Sequence, residues 1–171
     1  MQAIEPFPWR AGGPPRTTAA NPQQQLDQIP NLADYEAMRE IVTAWPSVIR
    51  RPSLRAPYGT LGMFLSDHDS QGPKEAFLLG TEFAHLHPLP DGSLHMVLPP
   101  EVHHAAIQRG WGVPHPMAGL PTISPQTILI FAPRDATERA GRRQPYPQRR
   151  SLRPRPRRRA RHCESLRSDG G

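Results

Sequence analysis

The stretch EFAHLHPLPDGSLHMVLPPEVHHAAIQRG, residues 82–110, decides the fold, because its apolar period changes from two to the helical 3.6 within one short segment. The runs EFAHLH and SLHMVL alternate and flank the turn signal LPDG, so together they predict a β-hairpin. Pro90 and Asp91 suit the centre of a type I turn, with Gly92 following as a bulge. A three-residue loop sets His95 opposite His87, and a five-residue loop sets it opposite His85. Leu94, Met96 and Leu98 form the apolar set of the return strand, which calls for helices over that face. PPEVHHAAIQRG then predicts a helix with proline at its start and Gly110 just past its end.

Upstream, NLADYEAMREIVTAW predicts a helix: Asn31 caps it, Asp34 and Glu36 suit its positive end, and Pro46 stops it. SVIRR, GTLGMFL and AFLLGTEFAHLHP predict strands, with a bulge or tight bend at Gly80. Downstream, WGVPHPMAGLPTISP reads as a long proline-rich loop and QTILIFAP as an interior strand. In PRDATE, Asp135 and Glu138 form a capping box, but the residues that follow have too few apolar positions to continue a helix. The expected fold is a small α+β domain, a mainly antiparallel sheet with helices packed on one face in a two-layer sandwich.

Charge divides the chain. Residues 1–138 carry nine Lys+Arg against thirteen Asp+Glu, whereas residues 139–171 carry twelve against two. The sequence pI of about 10.6 therefore belongs to the tail, and charge gives no reason to read the body as a nucleic-acid binder. The expected organisation is a disordered or loosely docked arm over 1–30, a domain over 31–138 and a disordered Arg/Pro-rich tail over 139–171. Cys163 is the only cysteine, which excludes an intrachain disulfide and a cysteine zinc cage and fits a reducing compartment. There is no apolar run of spanning length and no signal-like start, so the expected location is cytoplasmic, away from membranes.

Six of the eight histidines fall between residues 82 and 116. His85 and His87 share one strand face with Phe83, and in either hairpin register His95 joins them, while Glu82 is expected on the opposite face. Opposed Cβ atoms lie about 4.5–5.5 Å apart, and i, i+2 neighbours roughly 6.6 Å, so three imidazoles on this frame can converge on one zinc or iron ion. His85, His87 and His95 are the candidate metal ligands. His115, with His95, is the candidate for proton transfer, or a fourth ligand. The competing reading is a noncatalytic binding or interaction module whose histidines bond to backbone and to one another. Adjacent His103 and His104 cannot both face a sheet, and His68 sits in a polar loop. No G-x-S-x-G, G-x-G-x-x-G, P-loop or H-E-x-x-H occurs, so serine-hydrolase, nucleotide-dependent and zincin readings lose support. Trp111 reads as a core anchor.

The motifs H-L-H-P at 85–88, D-G-S-L-H at 91–95, G-W-G-x-x-H-P at 110–116 and P-R-D at 133–135, in that order, resemble the luciferase-domain family of small, mostly uncharacterised bacterial and fungal proteins. The resemblance runs over about residues 32–138 and marks His85, His87, His95 and His115 as family positions, leaving out His68, His103, His104 and His162. Val113 stands where many members carry Glu. Members also continue past P-R-D with an amphipathic helix, so the basic tail here is expected to be a frame-shifted end. The alternatives are a solvated end and a segment that holds nucleic acid or an acidic partner through phosphate-type contacts.

Overall fold

The computed structural model of the chain describes residues 8–140. Helix α1, Leu32–Thr43, begins at Asn31, whose side chain accepts the Asp34 N–H. Strands follow at β1 (Ile49–Pro52), β2 (Leu61–Phe64), β3 (Glu82–Leu86) and β4 (Leu94–Val97), then α2 (Pro100–Gln108), β5 (Gly112–Pro114), β6 (Thr127–Ile130) and α3 (Ala136–Ala140). They form one six-stranded sheet in the order β1-β2-β3-β4-β6-β5, with every neighbouring pair antiparallel. The expected α+β architecture is present, and β6 lies in the interior between β4 and β5.

Met63, Ala84, Met96 and Ile128 stand in one row across β2, β3, β4 and β6. They share a core with Met38 and Val42 of α1 and Val102 and Ala106 of α2. Burying each of the larger side chains contributes about 1.5–3 kcal/mol before the entropy of ordering is subtracted. Trp111 anchors the same core, and its indole N–H donates to Pro8 O at 2.6 Å.

Four expectations need correction. The proline-rich loop contains β5, an edge strand on β6; Gly112 is essential there, since a Cβ would sit 2.4 Å from Leu129 O. The capping box does open a helix: Asp135 accepts from the Thr137 and Glu138 N–H groups, and α3 follows, with Arg139 paired to Asp34 at 3.2 Å. Glu138 turns instead to Arg134, accepting its backbone N–H at 2.9 Å. The described part of the N-terminal arm, from Pro8, is packed onto the sheet. Arg10, Gln23 and Gln25 are buried, and Gln25 accepts the Ala132 N–H and donates its own backbone N–H to Asp91. Glutamine supplies both donors and acceptors, so a segment poor in apolar residues docks through hydrogen bonds.

The fourth correction concerns Glu82. Met63 pairs with Ala84 but Phe64 pairs with Glu82, so β3 carries an extra residue at Phe83. The bulge reverses the alternation. Phe83 goes to the helical side, 6.2 Å from the Trp45 ring, and Glu82 goes to the side of the histidines. The tail beyond residue 140, including His162 and Cys163, lies outside the described residues, and so do the expectations placed on it. Among the described residues no helix is long and apolar enough to cross a membrane.

Candidate metal centre and ligand cavity

The hairpin adopts the five-residue loop: His85 pairs with His95, and the His87 N–H closes on Ser93 O at 2.9 Å. Gly92 sits at φ 65°, and a Cβ there would lie 2.8 Å from Pro30, so this turn is tied to the entry of α1. His85, His87 and His95 therefore gather on the sheet face away from the helices, each 5% exposed. One ring nitrogen from each lies within 4.8 Å of the others.

Each imidazole is oriented by a partner behind it. His85 Nδ1 faces Glu82 Oε1 at 3.0 Å, and His87 Nδ1 faces Asp91 Oδ2 at 2.5 Å. Glu82 is fully buried and also accepts from Ser53 Oγ at 2.6 Å and from Leu54 N–H. Burial works against its ionisation, but the hydrogen bonds from His85, Ser53 and Leu54 outweigh burial and hold the carboxyl below its usual range. Asp91 behaves the same way: burial is overcome by His87 and Ser93. Both carboxylates thus stay charged acceptors, which fixes the hydrogen of His85 and His87 on Nδ1.

That assignment creates a shortage of protons. Glu82 Oε1, His85, His95 and Gln23 Oε1 form a line of three close contacts, with His85 Nε2 3.1 Å from His95 Nδ1 and His95 Nε2 3.1 Å from Gln23 Oε1. The Gln23 amide is oriented by its own N–H, which donates to Pro114 O. Both ends of the line are acceptors, so three contacts need three hydrogens, while two neutral imidazoles supply two. An imidazolium would complete the line, but burial pushes His95 well below its ordinary value, with the charges of His85, His87 and His115 adding to the effect. Burial lowers His85 as well, against the Glu82 hydrogen bond.

His115 is brought alongside, its ring centroid 5.1 Å from that of His95. Its Nδ1 accepts the Met117 N–H at 3.1 Å, so the neutral ring carries its hydrogen on Nε2. Burial, followed by the charges of His85 and Arg55, lowers its pKa. The four rings line a cavity of about 390 Å³ with Gln23, Arg55 and Thr127, walled by Pro22, Pro57, Leu78 and Ile123. His104 on α2 is exposed, His103 is half-buried on the same helix, and His68 is exposed beside Asp69; the cavity includes none of them.

Glu82, Asp91, Ser53, Gln23, Arg55 and Thr127 were not singled out as site residues in the sequence. A carboxylate three residues before His85 and another four after His87 were available signals. Gln23 carried none, lying 72 residues from His95 in a proline-rich arm.

The comparisons agree with the motifs. Residues 80–141 match the family model described as Luciferase domain. Proteins named Luciferase from Armillaria gallica, Armillaria mellea and Armillaria ostoyae are each 38% identical to this chain over 61 residues, a match covering 34% of this chain and 23% of the relative. The match thus spans less than a quarter of the length of those curated relatives. No solved structure matches. The segment 80–141, which holds all four cavity histidines together with Glu82 and Asp91, is the part of this chain that is similar to the luciferase-domain family.

Proposed function

We propose that this luciferase-domain protein binds a transition metal, zinc or iron, through His85, His87 and His95, and that the cavity beside it takes a small-molecule substrate. The observation that carries the proposal is the missing proton. A cation between His85 Nε2 and His95 Nδ1 leaves the outer nitrogens free to donate to Glu82 and Gln23, and every contact in the line is then satisfied. The 3.1 Å between the inner nitrogens is close to the roughly 3.3 Å that two nitrogens span on a tetrahedral ion at about 2.0–2.1 Å. Backing carboxylates on His85 and His87 are the usual outer partners of ligating histidines.

Three protein ligands leave a coordination position open, which is the arrangement of a catalytic rather than a structural ion. His115, with its hydrogen on Nε2, is the proton donor beside that position and not a fourth ligand. With both nitrogens of His95 engaged, the catalytic proton falls to His115. The Armillaria relatives bear the name Luciferase, and the enzymatic reading is carried to this chain through the family segment alone. A reducing, cytoplasmic setting suits an iron or zinc centre of this kind.

Elemental analysis of untagged protein tests the proposal, beside a His85→Ala, His87→Ala double variant. The expected result is about one equivalent of zinc or iron per chain, lost in the variant while its circular dichroism is retained. No metal in either protein would leave the histidines as a hydrogen-bonded structural cluster in a binding module.

A further inference from the structure

The chemistry of the cavity wall narrows what the cavity holds. Glu82 and Asp91 stand behind imidazole rings, and no Asp or Glu lines the cavity. Arg55 does. Its guanidinium is held by two neutral acceptors, donating from Nε to Leu78 O at 3.1 Å and from Nη2 to Thr122 O. It forms no ion pair with a carboxylate among the described residues, and Nη1 has no protein partner among them. Arg55 is an exposed residue, and a guanidinium fixed in place by carbonyls with no carboxylate beside it among the described residues is preorganised for an anion. Thr127 also lines the cavity, but it is 3% exposed and its Oγ1 is closed to solvent, so it offers the ligand no hydrogen bond. The remaining wall, Pro22, Ala56, Pro57, Leu78 and Ile123, is apolar apart from Asn21.

We infer that the cavity takes a small organic carboxylate with an apolar body, its anionic group paired with Arg55. The inference deepens the proposed function and rests on the histidine cavity being a ligand site, but it does not require the metal.

Benzoate and its neutral isostere benzamide are the probes, titrated into EDTA-treated full-length protein and followed by calorimetry and by the imidazole signals of His95 and His115. Benzoate is expected to shift those signals and to bind at least about tenfold more tightly than benzamide. Arg55→Gln should lower benzoate affinity by about tenfold and leave benzamide unchanged, and Arg55→Lys should keep most of the preference. Equal binding of the two probes, benzoate binding insensitive to Arg55→Gln, or no shift at the histidines would overturn the inference. If Arg55→Gln fails to fold, the benzoate-to-benzamide ratio in wild type and Arg55→Lys decides alone. The two proposals fail separately. Charge-selective benzoate binding by a protein that holds no metal removes the metal centre and keeps the carboxylate site; stoichiometric metal without that selectivity does the reverse.

Discussion

The two faces of the sheet are built on opposite terms. On one, Met63, Ala84, Met96 and Ile128 meet α1 and α2 in a dry apolar layer. On the other, Gly62, His85, His95 and Leu129 form the adjacent row, and the cover is the N-terminal arm with the loops around Arg55 and His115. The apolar face is stabilised by area removed from water, which tolerates small errors of direction. The histidine face is stabilised only where each donor finds its acceptor, so a single lost partner leaves a buried polar group exposed to its full desolvation cost. One face supplies stability and the other supplies chemistry.

The largest effect should come from the apolar side. Leu86→Ala, at a fully buried position, is expected to cost about 2–5 kcal/mol in urea unfolding and to leave metal content per folded molecule unchanged. If it abolished metal binding in protein that remains folded, the independence of the two faces would be lost. Glu82→Gln comes next: it removes the charge that Ser53, Leu54 and His85 all address, and about 1–3 kcal/mol of stability with it. The same change should weaken metal affinity by about 10–100-fold. An unaltered metal titration would show that His85 needs no carboxylate behind it.

Gln23→Ala is expected to be milder, about 1–2 kcal/mol, because it leaves the buried His95 and Pro114 groups without a partner but removes no charge. Its sharper readout is the His95 imidazole signal, which should move; a static signal would deny the contact. The effect of pH on metal-free protein is the smallest for any single group. His85, His95 and His115 all titrate below their ordinary 6.5 in the native state, with burial the first cause in each. The unfolded chain therefore binds more protons near pH 6, and stability is full above about pH 6.5 and declines as pH falls toward the lowered native values. Between pH 7 and 6 the loss should stay under about 1 kcal/mol for each histidine. A urea midpoint that rises over that unit would contradict the neutral, buried cluster.

How much of this was legible differs between the same two faces. The helical face could be read because burial imposes a period: Met38 and Val42 of α1 stand at the expected spacing behind the expected Asn31 cap, and Leu94 and Met96 alternate as the return strand requires. The meeting of His85, His87 and His95 was legible for the same reason, and the five-residue loop was one of two registers the turn allowed. The bulge at Phe83 was not, because it is a mismatch with β2, and one strand's sequence does not contain its neighbour's register. Strand β5 was hidden by the brevity of its three residues and by Pro114, tolerable only because the strand lies at the sheet edge. The docking of the arm through Gln23 and Gln25 leaves no periodic trace, since a hydrogen bond needs two residues and not a pattern.

The bulge, the docked arm and the loop that carries Arg55 together separate two kinds of boundary. Residues 80–141 are the unit that matches the family model, and they contain the four imidazoles. They are not the unit of closure. An excised 80–141 piece would lose β1, β2 and α1, turn β3 into a bare edge, and present His95 to water without Gln23. The family match therefore marks the stretch that carries the rings, while the chain outside it supplies the roof that decides what reaches them.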